Sequence, residues 1–285
     1  MNEKYWDRAL SWVDGCTPCS PGCERCWSAG MAHRFHRGTA NIHSDGMVHF
    51  FTSDGGSLRK KGAFNGLVET RPERLSIPLK RRKPTVYAVW NDLFHEAIPF
   101  EFWVDAYKTM AFAMNHTFLV LTKRPQKMLE WYATCPCPLS NIYHGLTICN
   151  QQEADEKIPV FLQVPGKKFL SIEPCLGEID ISGCLWEFNE NYQPPRFLDE
   201  GESYNVKPTV PSDKIDAVIL GGETLGNRPG REIKIEWAES VADQCEAAGI
   251  PLFVKQLHIG GKVSKNITEW PEKLQRRELP WRTKP

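Results

Sequence analysis

The stretch Thr117-Phe118-Leu119-Val120-Leu121-Thr122-Lys123-Arg124-Pro125, followed by Gln126–Ala133, decides how the fold is read. Thr117–Leu121 is a short uncharged run of the kind that forms a strand buried on both faces. Three polar residues follow, and Pro125 then opens an amphipathic helical pattern at the position where proline is tolerated. Strand, polar strand end and helix make one unit.

That unit recurs along the chain. Strands are expected at Ala9–Asp14, Asn65–Glu69, Thr85–Trp90, Thr117–Leu121, Asn141–Leu146, Lys168–Ile172, Asp216–Leu220 and Pro251–Val254. Helices are expected at Glu24–His36, Phe100–Met114, Pro125–Ala133, Gln151–Leu162 and Ile233–Ala248, the last stopped by Gly249. The alternation predicts a parallel α/β fold, wound by right-handed crossovers into a (β/α) barrel or partial barrel. Residues 1–260 are expected to form one domain interrupted near 37–64 and 183–211. Residues 261–285 read as a charged, peripheral C-terminal extension. No internal repeat is evident.

At 285 residues the chain can bury a sizeable core, and its 35 basic and 35 acidic residues leave no global field that would announce a nucleic-acid or membrane partner. MNEKYWDRAL lacks the apolar core of an export signal, and no later stretch approaches the roughly 20 apolar residues needed to cross a bilayer. The expectation is a soluble cytoplasmic protein. In a reducing compartment, ten cysteines point to metal binding or catalysis rather than disulfides.

Four of those cysteines fall within Asp14-Gly15-Cys16-Thr17-Pro18-Cys19-Ser20-Pro21-Gly22-Cys23-Glu24-Arg25-Cys26-Trp27, spaced C-x2-C-x3-C-x2-C. Structural zinc usually joins two separated C-x2-C knuckles, a dithiol switch would leave one pair idle, and the bacterial ferredoxin run orders its spacings differently. The remaining use is a [4Fe–4S] cluster held by three thiolates with one iron left open. Pro21 and Gly22 would bend the loop around it.

Cys19-x3-Cys23-x2-Cys26, with Trp27 after the last cysteine, resembles the radical S-adenosylmethionine superfamily. The resemblance implies that the open iron binds the amino and carboxylate groups of S-adenosylmethionine, and that reductive cleavage of the sulfonium releases a 5′-deoxyadenosyl radical. It also implies a TIM-like barrel and a flavodoxin- or ferredoxin-type electron donor. Over most of its length the chain also resembles a phage-associated family with a Gly-Cys-Thr-x-x-Ser-Pro-Gly-Cys-x-x-Cys-aromatic loop, matched by Gly15, Cys16, Thr17, Ser20, Pro21, Gly22, Cys23, Cys26 and Trp27. The likeness continues through Asn91–Glu96, Leu121–Pro125, Leu170–Pro174, Gly221–Glu223 and Lys255-Gln256, and departs at Trp90 and Cys175. In this pattern Cys19 is often another residue. Cys23 and Cys26 are ligands under both resemblances, and the third is Cys16 or Cys19. Phage association implies a nucleobase, nucleotide or DNA substrate, such as a substituted thymine undergoing rearrangement, and a location in the cytoplasm of the host.

Polar residues stand where the strands should end: Glu69, Asn91-Asp92, Thr122-Lys123-Arg124, Thr147, Glu173, Gly221-Gly222-Glu223 and Lys255-Gln256. In a barrel those ends share one face, the face that builds the active site. Asn91 and Asp92 would accept from the cofactor ammonium, Lys123 or Arg124 would pair with its carboxylate, and Gly221-Gly222 would admit its adenosine part. Glu173 or Glu223 would bind a ribose hydroxyl. Cys175, just past a strand end, and Lys255 are candidate catalytic side chains. His95 and Glu96 read as a helix entrance before Pro99 or as a substrate acid/base pair. Cys149, Cys184 and Cys245 read as packing residues, and Cys135 and Cys137 flank Pro136 without completing a ligand set. Lys80-Arg81-Arg82-Lys83 is either a solvated face or a phosphate contact. A function from another class, a zinc- or cluster-stabilised nucleic-acid-binding protein, uses the cysteine loop only structurally.

Overall fold

A computed structural model describes residues 4–29, 51–52, 62–64, 68–136, 138–185, 214–225 and 228–282. Seven strands run parallel in chain order: β1 (Arg8–Leu10), β2 (Val86–Val89), β3 (Thr117–Thr122), β4 (Ile142–Ile148), β5 (Lys167–Ile172), β6 (Ala217–Gly221) and β7 (Leu252–Ile259). An eighth, β8 (Lys262–Ser264), adds antiparallel to β7. Helices α1 (Phe100–Phe112), α2 (Pro125–Thr134), α3 (Gln151–Leu162) and α4 (Ile235–Ala247) make the connections that follow β2, β3, β4 and β6. None of the described helices is long and apolar enough to cross a membrane.

The first expected strand divides. Arg8–Leu10 joins the sheet, while Val13–Gly15 turns away and pairs antiparallel with Val68–Thr70. The segment read as a second sheet strand is therefore half of a small ribbon that carries the start of the cysteine loop. The 37–64 insertion apart from 51–52 and 62–64, residues 186–211 of the later one, the part of the expected Glu24–His36 helix beyond residue 29, with His33 and His36, and Cys137 lie outside the described residues.

Side chains alternate between two apolar layers. Leu10, Val89, Val120, Leu146, Leu170, Leu220 and Val254 pack against the helices, meeting Phe102, Met128, Phe161 and Val241. Val86, Leu119, Tyr143, Phe169, Ile219 and Phe253 form a second layer with Tyr5. Strands β1 and β7 are six steps apart, which is ~29 Å in a flat sheet. Yet Tyr5, three residues before β1, has its ring 5.9 Å from that of Phe253 in β7. The sheet is thus strongly curved around the second layer. Among the described residues no strand pairing joins its two edges, so of the expected α/β barrel the structure shows a curved, mostly parallel eight-stranded sheet and no closed barrel.

The expectation of a peripheral tail is corrected. Trp270 and Leu274 are buried in the helix-side core. Trp281 lies 4.9 Å from Tyr143 and 5.3 Å from Phe169, and its Nε1 donates to the Tyr5 carbonyl over 2.9 Å. A few large apolar residues spaced through a charged sequence suffice, since burying each contributes ~1.5–3 kcal/mol.

Candidate functional site

The cysteine loop crosses the C-terminal ends of the parallel strands and is tied down at both ends. At its start, Gly15 takes the left-handed conformation with φ +84°. The preceding Asp14 accepts from Arg71 Nε at 2.6 Å and Arg74 Nη1 at 2.9 Å; although burial opposes it, these bonds hold the carboxyl below its ordinary range. Thr17 is the next fixed point. Its hydroxyl lies 2.8 Å from Arg124 Nη2 and 2.7 Å from His95 Nε2, and its carbonyl accepts from Arg124 Nη2 at 3.0 Å. Arg124 also donates through Nη1 to Asp92 Oδ2 at 2.9 Å and through Nε to both oxygens of Glu96 at 2.8 Å. Asp92 is filled in turn by Thr122 Oγ1 at 2.6 Å and by the amides of Phe94 and Lys123. Burial, reinforced by Arg124, lowers the pKa of His95, whose Nδ1 accepts from the Ala97 amide.

The far end docks on β4, β5 and the residues after β6. Ser20 accepts from the Gly22 amide and starts the single turn Pro21–Cys23, and the Cys26 amide bonds the Cys23 carbonyl. Gly22 is buried so tightly that a Cβ there would lie 3.3 Å from Pro174 and 3.6 Å from Cys149. Arg231 clasps the loop from outside, donating to the Pro21 carbonyl and Glu24 while forking onto Glu223. Burial opposes ionisation of Glu223, and Arg231 holds its carboxyl below the ordinary range.

Between these anchors sit the four thiols, Cys19 exposed and the others half-buried. The neighbouring Cys19 thiol, with help from Lys123, brings the Cys23 thiol down to about 5 against burial, while Cys23 and burial raise Cys19. Burial, then Asp92, pushes Cys16 up to about 12, with Arg124 Nη1 3.9 Å from its sulfur. Lys123 is raised against burial by Cys23, Cys26 and Cys19 and then by Asp92, whose Oδ2 accepts from the Lys123 amide at 3.2 Å. Among those residues no three His, Cys, Asp or Glu side chains are drawn into a metal-binding arrangement. The donor chemistry still fits a thiolate-held group: four thiols share one loop, and two cations face them to offset thiolate charge.

On the second face, Glu173 Oε1 takes both Lys255 Nζ and, at 2.9 Å, Gln256 Nε2. Lys255 stands 5.9 Å above the Tyr5 ring, and burial together with Glu173 keeps that phenol protonated. Beside them Trp90 meets Trp6 edge-on at 5.7 Å and Trp27 at 4.7 Å, leaving Trp27 48% exposed. Aromatic rings and an ion pair therefore border the thiol loop.

A family model described as a protein of unknown function, DUF5131, matches residues 3–283. The chain belongs to the DUF5131 family. No curated protein and no solved structure matches it.

In this DUF5131 chain the strand-end residues divide between frame and opening. Asp92 and Arg124 have their hydrogen-bonding groups engaged within the protein. Asn91, at φ +56°, accepts from Ser28 Oγ and donates to the Val13 carbonyl, so it joins the ribbon to the helical residues 27–29. Glu223 belongs to Arg231, and Gly222 has Ile233 and His258 within 3.2 Å of where a Cβ would stand. Gly221 lies beside Glu173 and Gln256. Lys123, Glu173 and Lys255 are the charged groups that keep partial exposure. Cys175 is fully buried in the helix-side core, donates to the Gly177 carbonyl and is pushed up to about 11 by burial; its position gives no support to a catalytic role. His95 and Glu96, read from sequence as a helix entrance or an acid/base pair, brace Thr17 and Arg124. Arg231 and Tyr5 were missed altogether. No motif marks either, because their partners lie as far as 250 residues away.

Proposed function

We propose that this protein is a radical S-adenosylmethionine enzyme acting on a nucleobase or nucleotide, and that its curved parallel sheet is a partial (β/α) barrel of the corresponding type. One observation supports the proposal: the thiol-rich loop is mounted across the C-terminal strand ends, facing Lys123, whose ammonium is favoured first by Cys23, Cys26 and Cys19 and only then by Asp92. Cys23 and Cys26, with Cys16 or Cys19, would hold a [4Fe–4S] cluster. When bound, that cluster supplies the electron that cleaves S-adenosylmethionine to a 5′-deoxyadenosyl radical.

The chain's own residues then bind and orient. Lys123 pairs with the cofactor carboxylate. Glu173 has one oxygen loaded by Lys255 and Gln256, and its other oxygen accepts from a ribose hydroxyl. Lys255 contacts the substrate, while Trp6, Trp27 and Trp90 present aromatic surface to a planar base. The nucleobase, including rearrangement of a substituted thymine in DNA, rests on the phage-family resemblance, as does supply of the electron by a flavodoxin- or ferredoxin-type donor.

Anaerobic purification tests this. Brown protein with iron and sulfide near four per chain, forming 5′-deoxyadenosine with dithionite and S-adenosylmethionine, is the expected result. Colourless protein with stoichiometric zinc would instead favour a structural loop in a nucleic-acid-binding protein.

A further inference from the structure

At the opposite end of the strands, Lys80-Arg81-Arg82-Lys83 leads into β2. Among the described residues none of the four is in an ion pair, and all but Arg81, which is half-buried, are exposed. In a chain with no net charge this is a local concentration of unneutralised cations. The run is held in place. His116 Nε2 lies 3.1 Å from the Pro78 carbonyl and 3.0 Å from that of Arg81, Asn115 Nδ2 donates to the Arg82 carbonyl over 3.2 Å, and Arg81 Nε donates to Thr85.

Those same bonds bring the end of α1 against the run and set four large apolar side chains beside it. Ile77 is 44% exposed, Leu79 50%, Met114 52% and Phe112 81%. Isolated exposed apolar residues are ordinary, but four grouped beside four cations are not.

We infer that this surface is an anchoring site for single-stranded nucleic acid, distinct from the thiol loop. The cations match a phosphate backbone, and the open Phe112 ring with its aliphatic neighbours offers a platform for unpaired bases. A duplex keeps its bases stacked internally and presents no face to Phe112. A second copy of this chain would set like charges against each other. The surface lies at the N-terminal ends of β2 and β3, whereas the thiols lie at the C-terminal ends, so it holds a strand without touching the reacting group. The inference goes beyond the proposed function and needs neither iron nor turnover.

The test is fluorescence anisotropy of a labelled 12-nucleotide oligo(dT) with the full chain, across a salt series. Wild type is expected to bind. K80S/R82S/K83S removes no side-chain hydrogen bond or ion pair among the described residues; it should weaken binding at least tenfold and make the slope of log K against log salt shallower by about 2, since each lost phosphate contact removes ~0.7. F112S should cost about tenfold, in line with ~1–3 kcal/mol per stacked base. Equal binding by wild type and the triple variant would overturn the inference. So would tighter binding of a duplex of equal length with no effect of F112S, or displacement of the oligonucleotide by polyglutamate at equal charge, which would mark a surface for an acidic protein.

Discussion

Arg124 Nη2 reaches both the hydroxyl of Thr17, at 2.8 Å, and its carbonyl oxygen, at 3.0 Å, across 107 positions of sequence. The guanidinium also engages Asp92 and Glu96, so a single side chain couples the cysteine loop to the ends of β2 and β3. Arg124→Met leaves Asp92 buried without its cation, a change that typically costs ~3–5 kcal/mol. Arg124→Lys keeps the charge but cannot reproduce the planar fork. Both variants are expected to lower the urea midpoint and to speed amide exchange at residues 16–19. Wild-type exchange in Arg124→Lys would remove the bracing role.

Glu173 and Lys255 join β5 to β7 through an ion pair whose side chains are 14% and 27% exposed. Partial burial makes each charge dependent on the other. Glu173→Gln and Lys255→Met should each destabilise the protein more than half as much as the double variant does, giving a coupling energy of ~0.5–3 kcal/mol in a urea-denaturation cycle. Additive effects would show that the two charges stand independently.

The strands were legible because each is a short apolar run ending in polar residues, a pattern that local burial dictates. Lys123, Glu173 and Lys255 stand at strand ends as the pattern predicts. What the pattern could not convey is whether a strand-end residue has partners elsewhere in the chain. Arg124 and Asp92 look like Lys123 in sequence, but Thr17, Glu96 and Thr122 occupy them in space. The tail escapes a reading of sequence for a related reason: Trp270, Leu274 and Trp281 are too sparse to show a period, the first two docking on the helix-side core and Trp281 on the layer that the curvature of the sheet encloses.

That curvature yields a further prediction. Phe169 lies over Gly145, with ring atoms 2.4–2.9 Å from where a Cβ would stand. Gly145→Ala therefore forces the ring out of the second layer and should cost ~1–3 kcal/mol, as overpacking usually does. Adding Phe169→Leu removes the obstructing ring and should recover part of the loss. If Gly145→Ala melts at the wild-type temperature, the close approach does not exist in solution.

The last prediction concerns acid. His144 is fully buried in β4, its Nε2 2.7 Å from the Tyr132 hydroxyl and 3.3 Å from that of Tyr107, its Nδ1 3.3 Å from the Lys167 carbonyl. The neutral ring suits this setting, with Nδ1–H donating and Nε2 accepting. Burial, then Lys168, brings its pKa down to about 3. An unfolded histidine titrates near 6.5. Between about 6.5 and about 3 the unfolded chain therefore binds one proton more than the folded chain, and stability falls as pH falls, by up to ~1.4 kcal/mol per pH unit. Carboxylates with lowered pKa values, such as Asp14 and Glu153, also lose their contribution in acid, but they do so in any His144 variant as well. His144→Gln keeps a donor and an acceptor without a titrating ring. Urea denaturation at pH 7, 6, 5 and 4 should show the variant losing stability less steeply than wild type by about one proton. Parallel pH profiles for the two proteins would mean that His144 already carries its proton in the folded state.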